Sequence, residues 1–199
     1  MTGLLAILVA YLIGSIPFGF LLTKLTTGKD VRASGSGNIG ATNVLRAAGR
    51  AAGIATLLLD IAKGFLAVWI ASILTEGSPG WMADAALAVM AGHSFPIFLG
   101  FKGGKAVATF LGAFAYLMPL PLLAAWVVFM VTIAATRYVS AASVMAAATF
   151  PFGVWLISHP TLTELVVAFI AGAFIVYKHQ PNMDRIRAGT EPVFRWGKS

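Results

Sequence analysis

The stretch from Ala33 to Gly49 holds the densest group of residues that can bind an anion. Gly35, Gly37 and Gly40 permit positive φ and leave backbone N–H groups unobstructed. The short hydrogen-bonding side chains of this stretch are Ser34, Ser36, Asn38, Thr42 and Asn43. Together these residues predict an anion-binding loop.

A helix is expected to follow this loop, because the composition turns helical from about Ile39. The loop would then present its ligand to a helix N-terminus. Arg46 follows Asn43 by three residues and Thr42 by four, which places the three on one helix face with a guanidinium suited to forked phosphate contact. The alternative is a glycine-rich interfacial turn whose arginine contacts lipid headgroups.

The same three glycines spell G-x-G-x-x-G, and Asp60 follows at the spacing of a dinucleotide fingerprint. That fingerprint needs a preceding strand and a βαβ unit, whereas these glycines lie between apolar runs of membrane-spanning length. The Walker A pattern G-x-x-x-x-G-K-[ST] is also absent. Both nucleotide-binding interpretations are therefore rejected.

Two further polar clusters follow. One joins His93 to Gly103, Gly104 and Lys105, where paired glycines before a lysine again predict an anion cradle. Alternatively, its lysine is a topology determinant and His93 is satisfied within its own helix. The other cluster lies in the tail YKHQPNMDRIRAGTEPVF and includes His179, Asn182 and Glu191; its alternative is a solvated interfacial segment.

Asp60, Lys63 and Ser143 are polar residues inside apolar runs. Asp60 and Lys63 are expensive in lipid and are expected to face inward, either as a structural ion pair or as part of the site. Ser143 either reaches the same cavity as the polar clusters or bonds to its own helix.

The composition is that of an integral membrane protein, with 59% hydrophobic and 11% charged residues against roughly 25% charged in soluble domains. The absence of cysteine excludes disulfides, thiolate catalysis and zinc–cysteine sites. The net charge of +7 sits mostly in short loops between apolar runs, so topology explains it better than nucleic-acid binding.

The sequence predicts an all-α bundle of seven transmembrane helices in a single domain, 1–199. The apolar segments run at about 3–23, 53–74, 82–100, 106–118, 121–136, 139–158 and 162–177. Basic and base-free connections alternate, which predicts an external N-terminus and a cytoplasmic C-terminus, with all three polar clusters on the cytoplasmic side. The two segments within 106–136 are short for a bilayer core of ~30 Å.

The chain resembles the bacterial acyl-phosphate:glycerol-3-phosphate acyltransferases of the PlsY type. SGNIGATNVLRAAG, GHSFPIFLGFKGGKAVAT and HQPNMDRIRAGTEPVF are similar to the three signature motifs of that family in order and spacing. The likeness also includes LLLDIAKG and covers essentially the whole chain. Met183 after Asn182 departs from the isoleucine that is commoner in the family.

The resemblance implies an enzyme of the bacterial inner membrane that moves an acyl group from acyl phosphate to the 1-hydroxyl of glycerol 3-phosphate, giving lysophosphatidic acid. We expect no cofactor, no metal and no obligate protein partner, with membrane lipid as the surroundings. The expected catalytic residues are Ser36, Arg46, Lys105, His179 and Asn182. The expected substrate-binding residues are Gly35, Gly37, Asn38, Gly40, Thr42, Asn43, Gly103, Gly104, Ser143 and Glu191.

The main alternative is a small transporter or flippase for a phosphorylated solute, although the odd number of segments fits inverted repeats poorly. A lipid-binding structural protein would not need this density of polar loop chemistry. A magnesium-dependent phosphatidyl transferase would need clustered carboxylates. For the acyl transfer we expect no covalent acyl-enzyme, because there is no cysteine and no G-x-S-x-G elbow; a His179–Asp184 base is the alternative.

Overall fold

The computed structural model describes residues 1–194, and every regular element in that part of the chain is helical. The helices are α1 Thr2–Gly14, α2 Phe18–Thr27, α3 Ala41–Leu74, α4 Pro79–Ser94, α5 Val107–Leu117, α6 Pro119–Thr136, α7 Val139–Ile157, α8 Leu162–Lys178 and α9 Gln180–Arg187. Single 3₁₀ turns lie at Val31–Ala33 and Ile97–Leu99. The predicted all-helical class is confirmed.

Within residues 1–194, five helical segments are long and apolar enough to cross a membrane. They are Thr2–Thr27, Ala41–Leu74, Pro79–Leu99, Pro119–Thr136 and Val139–Ile157. A sixth is obtained if α8 and α9, which meet at a bend of 47°, form one span. α5 has 11 residues, about 16 Å of helix against a core of ~30 Å. The chain is thus a helical membrane protein, while the count of seven crossings stays a prediction.

The first of two compact units spans Met1–Leu117. In it α3 packs against α1, α2, α4 and α5. Small residues permit these contacts: a Cβ added to Gly64 would overlap the carbonyl oxygen of Thr109, and one added to Gly92 would overlap that of Tyr11. Such close packing through small residues is typical of helices in lipid.

α3 is interrupted at Gly49, whose φ of 87° and ψ of 178° are not helical. A side chain at this φ would strain the backbone, so glycine is required at the break. The break separates a short segment, 41–48, from the membrane-length part of α3. Thr42 and Arg46 therefore lie on a two-turn segment whose direction differs from that of the span.

The second unit begins at Met118. α7 packs against α6 and α8, and α9 packs against both α7 and α8. α8 begins with a capping box, in which Thr161 and Glu164 each bond to the other's backbone N–H. The assignment of residues 1–199 to a single domain stays a prediction.

Candidate active site

The first glycine-rich loop is organised around the side chain of Asn43, which is 3% exposed. Its Nδ2 donates to the carbonyl oxygens of Val31 at 3.1 Å, Ser34 at 3.0 Å and Asn38 at 2.8 Å. Its Oδ1 accepts the Ser36 N–H at 3.1 Å. One amide side chain thus ties together four backbone groups across the loop. This role was not foreseen from the sequence, which grouped Asn43 with the ligand-binding residues.

Glycine is required at two positions of this loop. Gly35 has φ of 54° and Gly37 has φ of 68°, as the sequence suggested. A Cβ at Gly35 would also overlap the Asn43 Oδ1. Gly40 instead has φ of −76°, and its N–H donates to the Asn38 side chain at 2.8 Å immediately before α3. Positive φ therefore occurs at two of these three glycines.

The polar residues left at the surface of the loop are Ser36, Thr42 and Arg46. Thr42 and Arg46 are four residues apart in the short segment of α3, so their side chains share one helix face. A hydroxyl group and a guanidinium beside a helix N-terminus are suited to an anionic ligand. The predicted helix N-terminus behind the loop is thus confirmed.

The second glycine pair folds back onto the end of α4. The Gly103 N–H donates to the Ser94 carbonyl at 3.2 Å, and the Gly104 N–H donates to the His93 carbonyl at 3.1 Å. A Cβ at Gly103 would overlap the His93 carbonyl oxygen and the Pro96 ring. Both glycine N–H groups therefore bond within the protein, so the contact with α4 is enough to explain why glycine is needed here. Their predicted binding of substrate stays a prediction.

Lys105 is half-buried and lies two residues before α5 begins at Val107. Ala106, between them, has φ of 59° and is fully buried. The first N–H groups of a helix lack intrahelical partners and carry the positive end of its dipole. Lys105 therefore just precedes, in the chain, the positive end of the α5 dipole.

The two loops lie side by side in the first unit. Leu99, from the 3₁₀ turn after α4, packs against an apolar cluster beneath the first loop. That cluster consists of the buried side chains Val31, Ile39, Val44 and Ala52. Arg46 and Lys105 thus belong to neighbouring loops, as one phosphate-handling surface requires.

In the second unit the Glu191 carboxylate is 7% exposed and joins α7, α9 and the tail. Its Oε1 accepts hydrogen bonds from Ser140 Oγ and Asn182 Nδ2, both at 2.7 Å, and its Oε2 pairs with Arg185 Nε at 2.8 Å. Burial acts to raise the pKa of Glu191, but these three hydrogen bonds and the arginine charge outweigh it and hold the pKa below its ordinary value. Both carboxylate oxygens of Glu191 therefore accept hydrogen bonds from protein side chains. No sequence motif includes Ser140, so its contact with Glu191 was not predicted from the sequence.

His179 and Ser143 both bond to their own helices. His179, 4% exposed, lies at the junction of α8 and α9 with Nδ1 at 2.8 Å from the Ile175 carbonyl oxygen. A carbonyl can only accept, so Nδ1 carries the proton and Nε2 is the basic nitrogen of the neutral ring. Ser143 Oγ donates to the Val139 carbonyl at 2.9 Å, one of the two arrangements that its sequence allowed.

We predict that Glu191→Gln destabilises the tail by about 1–2 kcal/mol, because it removes a charge-assisted bond to Arg185. With its folded pKa lowered, Glu191 contributes stability above its ordinary pKa and loses it as pH falls through the folded value. Hydrogen exchange of residues 180–194 at neutral and acid pH measures both effects. After correction for the slower intrinsic exchange in acid, the protection of these wild-type amides should fall as the pH is lowered. An equal acid response in Glu191→Gln would assign the change to another group.

The chain is thus a helical membrane protein, and its basic, glycine-rich loops at helix ends are suited to an anionic ligand such as a phosphate. A family model described as glycerol-3-phosphate acyltransferase matches residues 4–189. Glycerol-3-phosphate acyltransferases of Geotalea daltonii and Geobacter sulfurreducens are 50% and 48% identical to it. These alignments cover 94% of this chain and 94% and 95% of the two relatives.

Two crystal structures of PlsY (YgiH), an integral membrane glycerol 3-phosphate acyltransferase, are also similar. The glycerol 3-phosphate form has a TM-score of 0.91 at 38% identity, and the lysophosphatidic acid form has 0.87 at 36%. Both comparisons cover 98% of this chain and 96% of the solved one. The chain belongs to the glycerol-3-phosphate acyltransferase family.

Proposed function

We propose that this protein transfers a fatty acyl group from acyl phosphate to the 1-hydroxyl of glycerol 3-phosphate, releasing lysophosphatidic acid and inorganic phosphate. The observation that carries the proposal is the family match over residues 4–189, which includes the first two polar clusters and, from the third, His179 and Asn182. The two adjacent basic loops of the first unit support it, since both substrates carry phosphate. The membrane-length helices suit a donor whose acyl chain resides in the bilayer.

The proposed reaction is a direct transfer. The 1-hydroxyl oxygen attacks the acyl carbonyl carbon, a new ester C–O bond forms, and the C–O bond to phosphate breaks. The departing phosphate accepts the hydroxyl proton, so no protein base is required. Arg46 and Lys105 stabilise the developing negative charge and hold the reactants together. Ser36, His179 and Asn182 are the other proposed catalytic residues. The proposed substrate-binding residues are Gly35, Gly37, Asn38, Gly40, Thr42, Gly103, Gly104 and Ser143, while Asn43 and Glu191 support the site through their bonds within the protein.

The test is incubation of purified protein with palmitoyl phosphate and labelled glycerol 3-phosphate. We expect labelled lysophosphatidic acid, sequential kinetics and, with palmitoyl phosphate alone, an unmodified intact mass. Palmitoyl-CoA in place of palmitoyl phosphate tests the donor, and should give no product. An acyl adduct on Ser36, Ser94 or Ser143 that glycerol 3-phosphate removes would overturn direct transfer. Loss of turnover in Asp184→Asn with binding intact would restore the His179–Asp184 base.

A transporter or flippase for a phosphorylated solute is not favoured, because the family match is to acyltransferases along nearly the whole chain. Proteoliposomes containing the protein and loaded with labelled glycerol 3-phosphate distinguish the two activities. Release of unmodified label without acyl donor would support transport.

We further propose seven membrane crossings in a bacterial inner membrane, with the N-terminus outside and both basic loops of the first unit in the cytoplasm. The alternation of basic and base-free connections supports this topology. In intact cells a cysteine replacing Ser78 should react with an impermeant thiol reagent, whereas one replacing Thr27 should not. The reverse labelling pattern would invert the topology.

A further inference from the structure

Three charged or titratable side chains meet in the interior of the first unit. Lys63 Nζ lies 2.8 Å from Asp60 Oδ1, and His93 Nδ1 lies 3.6 Å from the same oxygen. The lysine also donates to the Ile16 carbonyl at 2.9 Å. Asp60 and Lys63 are each 2% exposed and His93 is 4% exposed. The prediction that Asp60 and Lys63 face inward is therefore confirmed.

The opposite edge of the His93 ring supports the second glycine-rich loop. A Cβ at Gly104 would overlap His93 Nε2, so the loop backbone lies directly against the imidazole. The His93 carbonyl also accepts the Gly104 N–H at 3.1 Å. The ring thus spans from the Asp60 carboxylate in α3 to the backbone of the residue that precedes Lys105.

We propose that Asp60, Lys63 and His93 form a positioning cluster that sets the path of the Gly103–Gly104 backbone and thereby places Lys105 against phosphate. This inference rests on the proposed function. A buried ion pair is weak evidence for stability, because apolar residues of similar volume often replace one without loss. The geometry supplies a different role: the carboxylate orients the imidazole, and the imidazole limits how closely the loop can approach α4.

The cluster also gives a reason for glycine at position 104 that does not involve phosphate. If the histidine ring occupies the space that a Cβ would need, shortening residue 93 should remove the requirement. Asn lacks Cε1 and Nε2, and its terminal atom near the position of Cδ2, 2.9 Å from the added Cβ, belongs to a short flexible side chain that can rotate away. Gly104→Ala should therefore be harmful beside His93 and nearly harmless in the His93→Asn background.

The first experiment is a double-mutant cycle on Gly104→Ala and His93→Asn, which measures the Michaelis constant for glycerol 3-phosphate in the full-length protein. We expect Gly104→Ala to raise that constant about tenfold with His93 present and less than about threefold in the His93→Asn background, a coupling expected only of contacting residues. Equal costs in both backgrounds would overturn the proposal and assign Gly104 to phosphate contact.

The second experiment separates positioning from stability. Asp60→Asn alone leaves the Lys63 charge uncompensated and should lower the unfolding temperature. Asp60→Asn with Lys63→Met removes that charge, so the unfolding temperature should recover while the Michaelis constant for glycerol 3-phosphate stays raised about fivefold or more. Thr56→Val, on the same buried face of α3 but bonded only to its own helix, is the control. If both the unfolding temperature and the Michaelis constant return to wild-type values in the double variant, Asp60 and Lys63 have only a structural role.

Calorimetric titration of each variant with glycerol 3-phosphate alone provides a readout that needs no acyl transfer. Binding by the wild type without turnover on palmitoyl phosphate would contradict the proposed function, and the double-mutant cycle would then be evaluated from the dissociation constants for glycerol 3-phosphate. Normal turnover with additive effects of Gly104→Ala and His93→Asn would contradict only the positioning cluster.

Discussion

Asn43→Ala is expected to lower kcat/KM for glycerol 3-phosphate by about a hundredfold or more, a loss of roughly 2.7 kcal/mol in transition-state stabilisation. The reason is geometric: this amide holds the Val31, Ser34 and Asn38 carbonyls and the Ser36 N–H in one arrangement. A buried backbone group that loses this hydrogen bond and cannot bond to water destabilises the folded loop by about 1–3 kcal/mol. Steady-state kinetics and thermal unfolding in detergent measure the two consequences.

Two variants test this explanation. Asn43→Asp keeps an acceptor for the Ser36 N–H but turns a carboxylate oxygen toward carbonyl oxygens, so it should be as harmful as alanine. Asn38→Ala is the matched amide control, because within residues 1–194 the Asn38 side chain bonds only the Gly40 N–H, and it should cost less than about tenfold. A mild Asn43→Ala with a severe Asn38→Ala would show that the loop is organised differently.

Arg46→Ala and Lys105→Ala are each expected to insert normally and to lose about tenfold or more in turnover at low substrate concentration. Each side chain supplies a charge-assisted contact to phosphate worth roughly 1.5–3 kcal/mol in a partly dehydrated site. Arg46→Lys should recover only part of the loss, since an ammonium cannot form the forked contact. Initial rates across a range of glycerol 3-phosphate concentrations measure these effects.

The chain offers a matched control for each change. Arg50 is an exposed arginine beyond the break at Gly49, and Lys102 is an exposed lysine just before the glycine pair. Arg50→Ala and Lys102→Ala each remove one positive charge close in sequence to Arg46 and Lys105, so they should stay within about threefold of the wild type. Losses as large as those of Arg46→Ala and Lys105→Ala would mean that general surface charge, and not specific contact, supports activity.

Much of the architecture could be read from the sequence because a membrane imposes strong constraints. Long apolar runs must be helical in lipid, where every backbone group needs an internal partner. Clustered glycines with short polar residues, followed by helical composition and Arg46, were sufficient to predict a loop at a helix N-terminus. The structure agrees on both points, and the family match agrees with the resemblance.

The roles of individual polar residues were harder to predict. Asn43 and Glu191 have the side-chain chemistry of ligand-binding residues, and the sequence therefore predicted that they bind substrate. In the structure their hydrogen-bonding groups join segments of the protein to one another. Residue type and spacing indicate which hydrogen-bonding groups a side chain has, but they do not indicate which partner the folded structure places beside them.

The sequence alone determined that this is a helical membrane protein with glycine-rich basic loops, because hydropathy and backbone freedom are local properties. Only the tertiary structure decided that Asn43 lies inside its loop, that Ser140 reaches Glu191 from α7, and that His93 lies between Asp60 and Gly104. These pairs are separated by up to 51 residues. Their contacts depend on how the helices pack, since a buried polar group bonds to whichever partner packing brings within reach.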